Sequence, residues 1–319
     1  MTHLRCVDSV LELIGDTPVV KLDKITEGKS FEVFTKLEYI NPSGSLKDRI
    51  ALEMIRIAER EGRIKPGDKI IEASTGNTGA ALSLVGRRLG YDVEIYMPEG
   101  MTPERKRIME SYGAEIHELE LEKSEEGSIA GAEVEIDTRR RCLELERVNP
   151  GIWWARQFSN HGNVKAHIKT GEELFEQLDG DIDAFVTSIG VGGTLYGVAK
   201  ALKKRLPDVL IVGAEPASAR YPISEGHHSV PGAGPEVTGG IIKEMMESGL
   251  VDRVEKVGNE EAIEMSNRLV REEGLFCGIS SGANVYLSLK IGEELGNGRI
   301  ATVLPDSRDR YLSEKKYTT

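Results

Sequence analysis

Apolar positions along the chain alternate between two spacings. Short continuous runs, KIIEA (69–73), VEIYM (93–97), AFVTSI (184–189), VLIVGAEP (209–216) and IATVLP (300–305), read as strands buried on both faces, the pattern of a parallel sheet. Between them the period lengthens. Residues 49–61, RIALEMIRIAERE, put Ile50, Met54, Ile57 and Ala58 on one helical face, and Gly62 and Pro66 end that helix before the KIIEA strand. Thr102 before Pro103 predicts an N-cap followed by proline at the first helical position, with the helix running towards Gly113. Further helices are predicted near 133–148, 162–177, 194–206, 260–273 and 282–295. Strands alternating with helices over most of the chain predict an α/β protein of mostly parallel, twisted sheets flanked by helices. The turn NPG at 149–151 follows a charged helix and precedes the apolar stretch IWWARQF, so a lobe boundary is expected at 149–152.

Length supports two lobes, since 319 residues exceed what one small core serves. With 41 Lys and Arg against 53 Asp and Glu, the formal charge is −12, which argues against nucleic acid or an anionic membrane as partner. Any anionic ligand must then be held by local geometry. Cys6, Cys142 and Cys277 have neither CxxC spacing nor an even count, so structural thiols in a reducing cytoplasm are expected. No leader pattern opens the chain and no apolar run approaches a membrane span. His227 and His228 are adjacent and lack an evident third ligand, so a surface loop is expected there and no metal.

Three glycine-rich loops lie where a strand gives way to a helix, the place where α/β sheets bind ligands. GVGGT, Gly190 to Thr194, follows AFVTSI and opens a helix; converging backbone N–H groups suit a phosphate there. A tight turn explains it equally well, and the dinucleotide fingerprint fails because Leu195 follows Thr194 where GxGxxG needs glycine. STGNTG, Ser74 to Gly79, offers hydroxyls, an amide and backbone donors for a carboxylate, with helix capping by Thr78 as the simpler reading. In NPSGSLKDR, Asn41 to Arg49, Lys47 stands at a loop-to-helix junction. An enclosed lysine there has a lowered pKa and attacks an aldehyde, whereas most lysines are solvated charges.

Taken in order, IGDTPVVKL (14–22), PSGSLKDR, STGNTG, QFSN (157–160), GVGGT and GISSGA (278–283) resemble the cysteine synthase and cystathionine β-synthase family of fold-type II pyridoxal 5′-phosphate (PLP) enzymes, closest to its cysteine synthases (O-acetylserine sulfhydrylases). The resemblance covers nearly the whole chain and implies a two-lobed, tryptophan synthase β-like fold. Its smaller lobe would be 45–150, and the larger, phosphate-binding lobe 1–44 with 151–319. It implies Lys47 as the residue holding PLP as a Schiff base and as catalytic base, and Gly190, Val191, Gly192, Gly193 and Thr194 around the cofactor phosphate. Asn77 would lie beside the cofactor's 3′ oxygen and Ser280 at its pyridine nitrogen. The substrate carboxylate would fall to Ser74, Thr75, Asn77 and Thr78, assisted by Gln157.

A neutral partner such as Ser280 leaves the pyridine nitrogen largely unprotonated, which favours elimination of a β-leaving group. The implied reaction is β-replacement through aminoacrylate, forming cysteine from O-acetylserine or O-phosphoserine and sulfide, with the smaller lobe closing over the substrate. A homodimer is implied as well. Where the family carries TSGNT this chain has Ser74 then Thr75, a swap that keeps a hydroxyl and reshapes the pocket. The loop 227–240 matches only loosely, and no regulatory domain is expected after DRYLS. Trp153 and Trp154 are expected at the lobe junction and Cys277 in the core near Ser280. Arg220 is a candidate contact for an anionic leaving group, although a solvated arginine explains it as well. The rivals are a cystathionine β-synthase, desulfhydrase or dehydratase on the same fold, and a non-enzymatic α/β protein that binds a phosphorylated ligand.

Overall fold

The computed structural model describes residues 6–100, 103–120, 131–219, 221–227 and 235–313. In chain order its elements are β1 (Val19–Lys21), β2 (Phe31–Lys36), α1 (Lys47–Arg60), β3 (Lys69–Ala73), α2 (Asn77–Leu89), β4 (Asp92–Pro98), α3 (Pro103–Ser111), β5 (Glu115–Leu119), α4 (Gly131–Val148) and β6 (Ile152–Trp154). They continue as α5 (His161–Gln177), β7 (Ala184–Ser188), α6 (Gly193–Lys203), β8 (Leu210–Pro216), α7 (Pro235–Thr238), α8 (Ile241–Glu247), β9 (Arg253–Val257), α9 (Asn259–Glu273), α10 (Ile279–Leu295) and β10 (Gly298–Val303).

Two sheets result. One runs β1-β2-β10-β7-β8-β9 and the other β5-β4-β3-β6. Every pairing is parallel except β1 with β2, as the alternation predicts. The smaller sheet packs α1, α2 and α3 on one face through Ile50, Met54, Leu82 and Met109. Its other face meets α4 through Ile136, Cys142 and Leu143. In the larger sheet Val186 and Ile300 face α9 and α10, whereas Phe185 and Ala301 face α5, α6 and α8. Ile50, Met54 and Ala58 of α1 are buried as expected, while Ile57 is half-buried.

Three expectations need adjustment, and a fourth falls outside the described residues. Ile152–Trp154 falls past the expected boundary, yet it pairs with β3 in the smaller sheet. Successive side chains of a strand point to opposite faces, so Trp153 enters the core under α1 and α2 while Trp154 enters the one under α4. The helix expected from 282 starts at Ile279, which places Ser280 in its first turn. Cys142 and Cys277 are buried, but Cys6 is exposed. The expected cap Thr102 lies outside the described residues, although Pro103 does open α3.

The two halves are joined through buried charge. Arg49 on α1 donates through Nε to Glu38 Oε2 at 2.7 Å and through Nη1 to Glu173 Oε1 of α5 at 2.6 Å. Lys36, at the end of β2, sits 2.8 Å from Glu173 and donates to the Thr17 carbonyl at 2.7 Å. Burial would raise the Glu38 carboxyl, but the Arg49 guanidinium, joined by Lys36 and the Thr17 hydroxyl, outweighs it and holds the group below its ordinary value. Removing one member of such a set leaves an uncompensated charge indoors. Arg49→Met should therefore lower stability by about 3–5 kcal/mol in urea unfolding. Adding Glu38→Gln to that variant should return part of the loss; two losses that simply add would contradict the pairing.

Candidate active site

Lys47 is the first residue of α1. The turn that delivers it needs Gly44 at φ +86, a backbone region unfavourable to other residues. Ser45 Oγ accepts the Lys47 N–H at 3.3 Å. Next to it, Asp48 is buried against Ser43, and burial pushes its carboxyl up to about 6. Desolvation lowers the Lys47 ammonium to about 8, and the carboxylate of Asp306 partly offsets that effect. A lysine in this state supplies a substantial neutral fraction near pH 8, when an exposed one is almost wholly charged.

Ser74 to Thr78 carry the chain from β3 into α2. Ser74 Oγ accepts the N–H groups of Gly76 at 3.3 Å and Gly79 at 3.0 Å, so Ser74 caps the helix and keeps its own proton to donate. Thr78 does not cap. Its hydroxyl donates to Gln157 Oε1 at 2.6 Å, while the Gln157 backbone N–H is held by buried Glu72 at 3.0 Å. Thr75 and Asn77 are half-buried beside them.

The third loop leaves β7 and enters α6. Gly192, at φ +89, is the N-cap residue, and no side chain caps this helix start. Gly190 faces open space, with nothing within 4 Å of a Cβ placed there, whereas a Cβ on Gly193 would lie 2.0 Å from Asn163 Oδ1. That buried oxygen has no hydrogen-bond partner. Thr194 Oγ1 lies 3.2 Å from His167 Nε2. His167 is itself 3.2 Å from Thr170, and desolvation, reinforced by the charges of Lys47 and Arg49, holds it neutral. Ser280 stands exposed in the first turn of α10, another helix start that no side chain caps.

These groups line two adjoining cavities. One, of about 430 Å³, is walled by Lys47, Ser74, Thr75, Asn77, Thr78 and Gln157. The other, about 150 Å³, is walled by Lys47, Asn77, Gly190 to Thr194, Ser280 and Asp306. Lys47, Asn77, Gly190, Val191 and Tyr311 belong to both, so every residue that the resemblance singles out faces a single compound site. Uncapped N–H groups at the starts of α6 and α10, with the proton that Ser74 keeps at the start of α2, make it favourable to anions. An open cradle, a partly neutral lysine and neutral polar neighbours fit a phosphorylated aldehyde.

Sequence reasoning did not single out Asp306, Arg310, Tyr311, His167 or Asn163. All are ordinary polar residues outside the glycine loops. Cys277 is buried behind Ser280 in the core, with its thiol pushed up to about 12 by burial. His227 is exposed, whereas His228 and Arg220 lie outside the described residues. Glu94, Glu115 and His117 bring ligand atoms within 4.8 Å of one another, but Lys69 already pairs with Glu94.

Parallel sheets with an anion cradle at a helix start and a desolvated lysine beside it define an α/β enzyme that anchors a phosphorylated carbonyl cofactor. The chain belongs to the pyridoxal-phosphate dependent enzyme family, whose model matches residues 10–306. It is 42% identical over 315 residues to a cysteine synthase of Staphylococcus aureus strain Mu50, covering 98% of this chain and 97% of that one. The crystal structure of O-acetyl serine sulfhydrylase isoform 3 from Entamoeba histolytica superposes with a TM-score of 0.86 at 34% identity, covering 100% of this chain and 94% of that one. An O-ureido-L-serine synthase gives 0.83 at 31%, covering 98% and 96%. A hydrogen sulfide-producing enzyme from Fusobacterium nucleatum gives 0.84 at 34%, covering 96% and 100%.

The lowered lysine has a consequence for the cofactor-free protein. A lysine whose folded pKa lies below its unfolded value of 10.5 costs stability below about pH 8, and the cost fades as pH rises from 8 to 10.5. Lys47→Met should therefore stabilise the PLP-free chain at pH 7 by on the order of 2 kcal/mol. The gain should vanish near pH 10.5. Equal stabilities at pH 7 would contradict the desolvation of Lys47.

Proposed function

We propose that this protein forms L-cysteine by PLP-dependent β-replacement, taking an activated serine as donor and sulfide as nucleophile. The observation that carries the reading is Lys47, desolvated to about 8, at the meeting of the Ser74–Thr78 and Gly190–Thr194 loops. Gly190 to Thr194 would hold the cofactor phosphate, Ser280 its ring nitrogen and Asn77 the oxygen beside its carbonyl carbon. PLP supplies an electron sink for negative charge at the Cα of the bound amino acid.

Ser74, Thr75, Thr78 and Gln157 orient the substrate carboxylate. The Ser74 proton is available because its oxygen already accepts two backbone N–H groups, whereas Thr78 spends its proton on Gln157 Oε1 and so serves by fixing the Gln157 amide. Lys47 Nζ takes the Cα proton as base and returns it after the nucleophile has added. Ser280 brings no charge to the ring, which suits elimination of the β-substituent. The donor is acetylated or phosphorylated serine, since hydroxide is a poor leaving group.

The cysteine synthase and sulfhydrylase relatives support this choice over a non-enzymatic phosphate binder. Residues 45–150, with β6 added, would form the smaller lobe and close over the substrate. A cytoplasmic homodimer completes the proposal; free cysteines and the lack, among the described residues, of a helix long and apolar enough to cross a membrane are in keeping with it.

Borohydride treatment of the holoenzyme should fix PLP on Lys47, read by peptide mapping. Lys47→Ala should lose at least about 1000-fold in cysteine formation, because the anchor and the base go together. Label on another lysine would refute the assignment. Separately, O-acetylserine or O-phosphoserine with sulfide should outpace unmodified serine with homocysteine by tenfold or more (about 1.4 kcal/mol in barrier). The reverse order would make the enzyme a cystathionine β-synthase.

A further inference from the structure

After β10 the chain crosses the back of the site. Leu46 N–H donates to the Pro305 carbonyl at 2.9 Å and Ser307 N–H to the Gly44 carbonyl at 3.0 Å, which ties residues 305–307 to the turn before Lys47. Gly278 N–H donates to the Asp306 carbonyl at 2.9 Å, tying the same strap to the turn before Ser280. The strap's side chains go to a third element. Asn77 Nδ2 donates to Asp306 Oδ2 at 2.7 Å, and Arg310 Nη1 donates to Asn77 Oδ1 at 2.7 Å. Tyr311 OH donates to the same Asp306 oxygen at 2.6 Å, and Arg310 also reaches the Ser43 carbonyl. Asp306 is 2% exposed and Arg310 3%, so water does not stand in for either.

A guanidinium only donates and a carboxylate only accepts. An amide set between them has one satisfied orientation, and the flipped one would face donor with donor and acceptor with acceptor. One Asn77 N–H is spent on Asp306. The other is left with a fixed direction on a residue that lines both cavities.

We propose that Asp306 and Arg310 are positioning residues for the cofactor, locking the Asn77 amide so that its remaining N–H is offered to an oxygen of bound PLP next to Lys47. This rests on the reading above that Asn77 meets the cofactor. A strap that merely braced the fold would need no donor and acceptor matched to the two ends of one amide.

The test is a double-mutant cycle on PLP affinity and on the visible absorbance band of the bound cofactor. Asp306→Asn removes the charged acceptor of the Asn77 N–H and ends the acceptor-to-acceptor repulsion of the flipped amide, leaving Arg310 alone to hold the orientation. Asp306→Asn and Asn77→Ala should each weaken PLP binding about tenfold, the worth of one well-placed hydrogen bond, and should shift the band alike. The double variant should be no worse than Asn77→Ala. Inorganic phosphate should bind the PLP-free Asp306→Asn protein as it binds wild type, because the Gly190–Thr194 cradle is untouched.

Losses that multiply to about a hundredfold in the double variant, or phosphate affinity falling in step with PLP, would overturn the positioning role. So would an Asn77→Ala protein that binds PLP normally. Should Asp306→Asn fail to fold, Arg310→Gln removes the charged donor at the other end of the amide, leaving Asp306 alone to hold it, and carries the same cycle. A wild-type chain that takes up no PLP would instead overturn the functional reading itself.

Discussion

Arg49 has to be neutralised indoors, and the rest of the molecule is arranged around that requirement. Its guanidinium is 4% exposed and is shared between Glu38, just beyond β2, and Glu173 on α5. A buried charge tolerates little error in its partners' positions, because desolvation is compensated only by close and well-directed contacts. The pairing therefore sets α1 against the larger sheet's elements with little freedom to slide. Lys47 stands two residues before Arg49 on the same helix, so fixing the one fixes the origin of the other.

The site follows a complementary electrostatic logic. The chain as a whole carries −12, yet the walls of its two cavities are built mostly from helix starts, hydroxyls and amides, with Lys47 and Arg105 against the single carboxylate of Asp306. A potential favourable to anions thus comes from oriented backbone dipoles at short range and does not depend on net charge. His167 fits the same scheme. Burial and nearby cations keep it neutral behind Thr194, so it adds a directional contact without another charge beside the phosphate cradle.

The residues that were legible in the sequence were those whose chemistry is local. Gly192 must adopt a positive φ and open a helix, so GVGGT announces its turn within five residues. The lysine in NPSGSLKDR and the hydroxyls in STGNTG share this property, since each loop is complete within a few positions. What was not legible depends on distant pairing. Asp306 meets Asn77 across 229 positions and Arg310 meets it across 233, and neither contact leaves a periodic trace. Strand β5, EIHEL, escaped because it is a half-exposed edge in which glutamates interrupt the apolar pattern. Strand β2, FEVFTK, hid because it contains Lys36, a fully buried charge that looks like a surface residue until Glu173 is found beside it.

The strap beyond β10 also bears on the order in which the site comes into being. Along the chain the ligand groups appear as Lys47, then Asn77, then the cradle ending at Thr194, then Ser280, and only afterwards Asp306 and Arg310. A chain emerging from the ribosome has both cores well represented before residue 306 is added, but the loop before Lys47 still lacks its backbone partners at Pro305 and Gly44's counterpart Ser307. The pocket around Lys47 and Asn77 thus lacks part of its frame until residues 305–310 have been made.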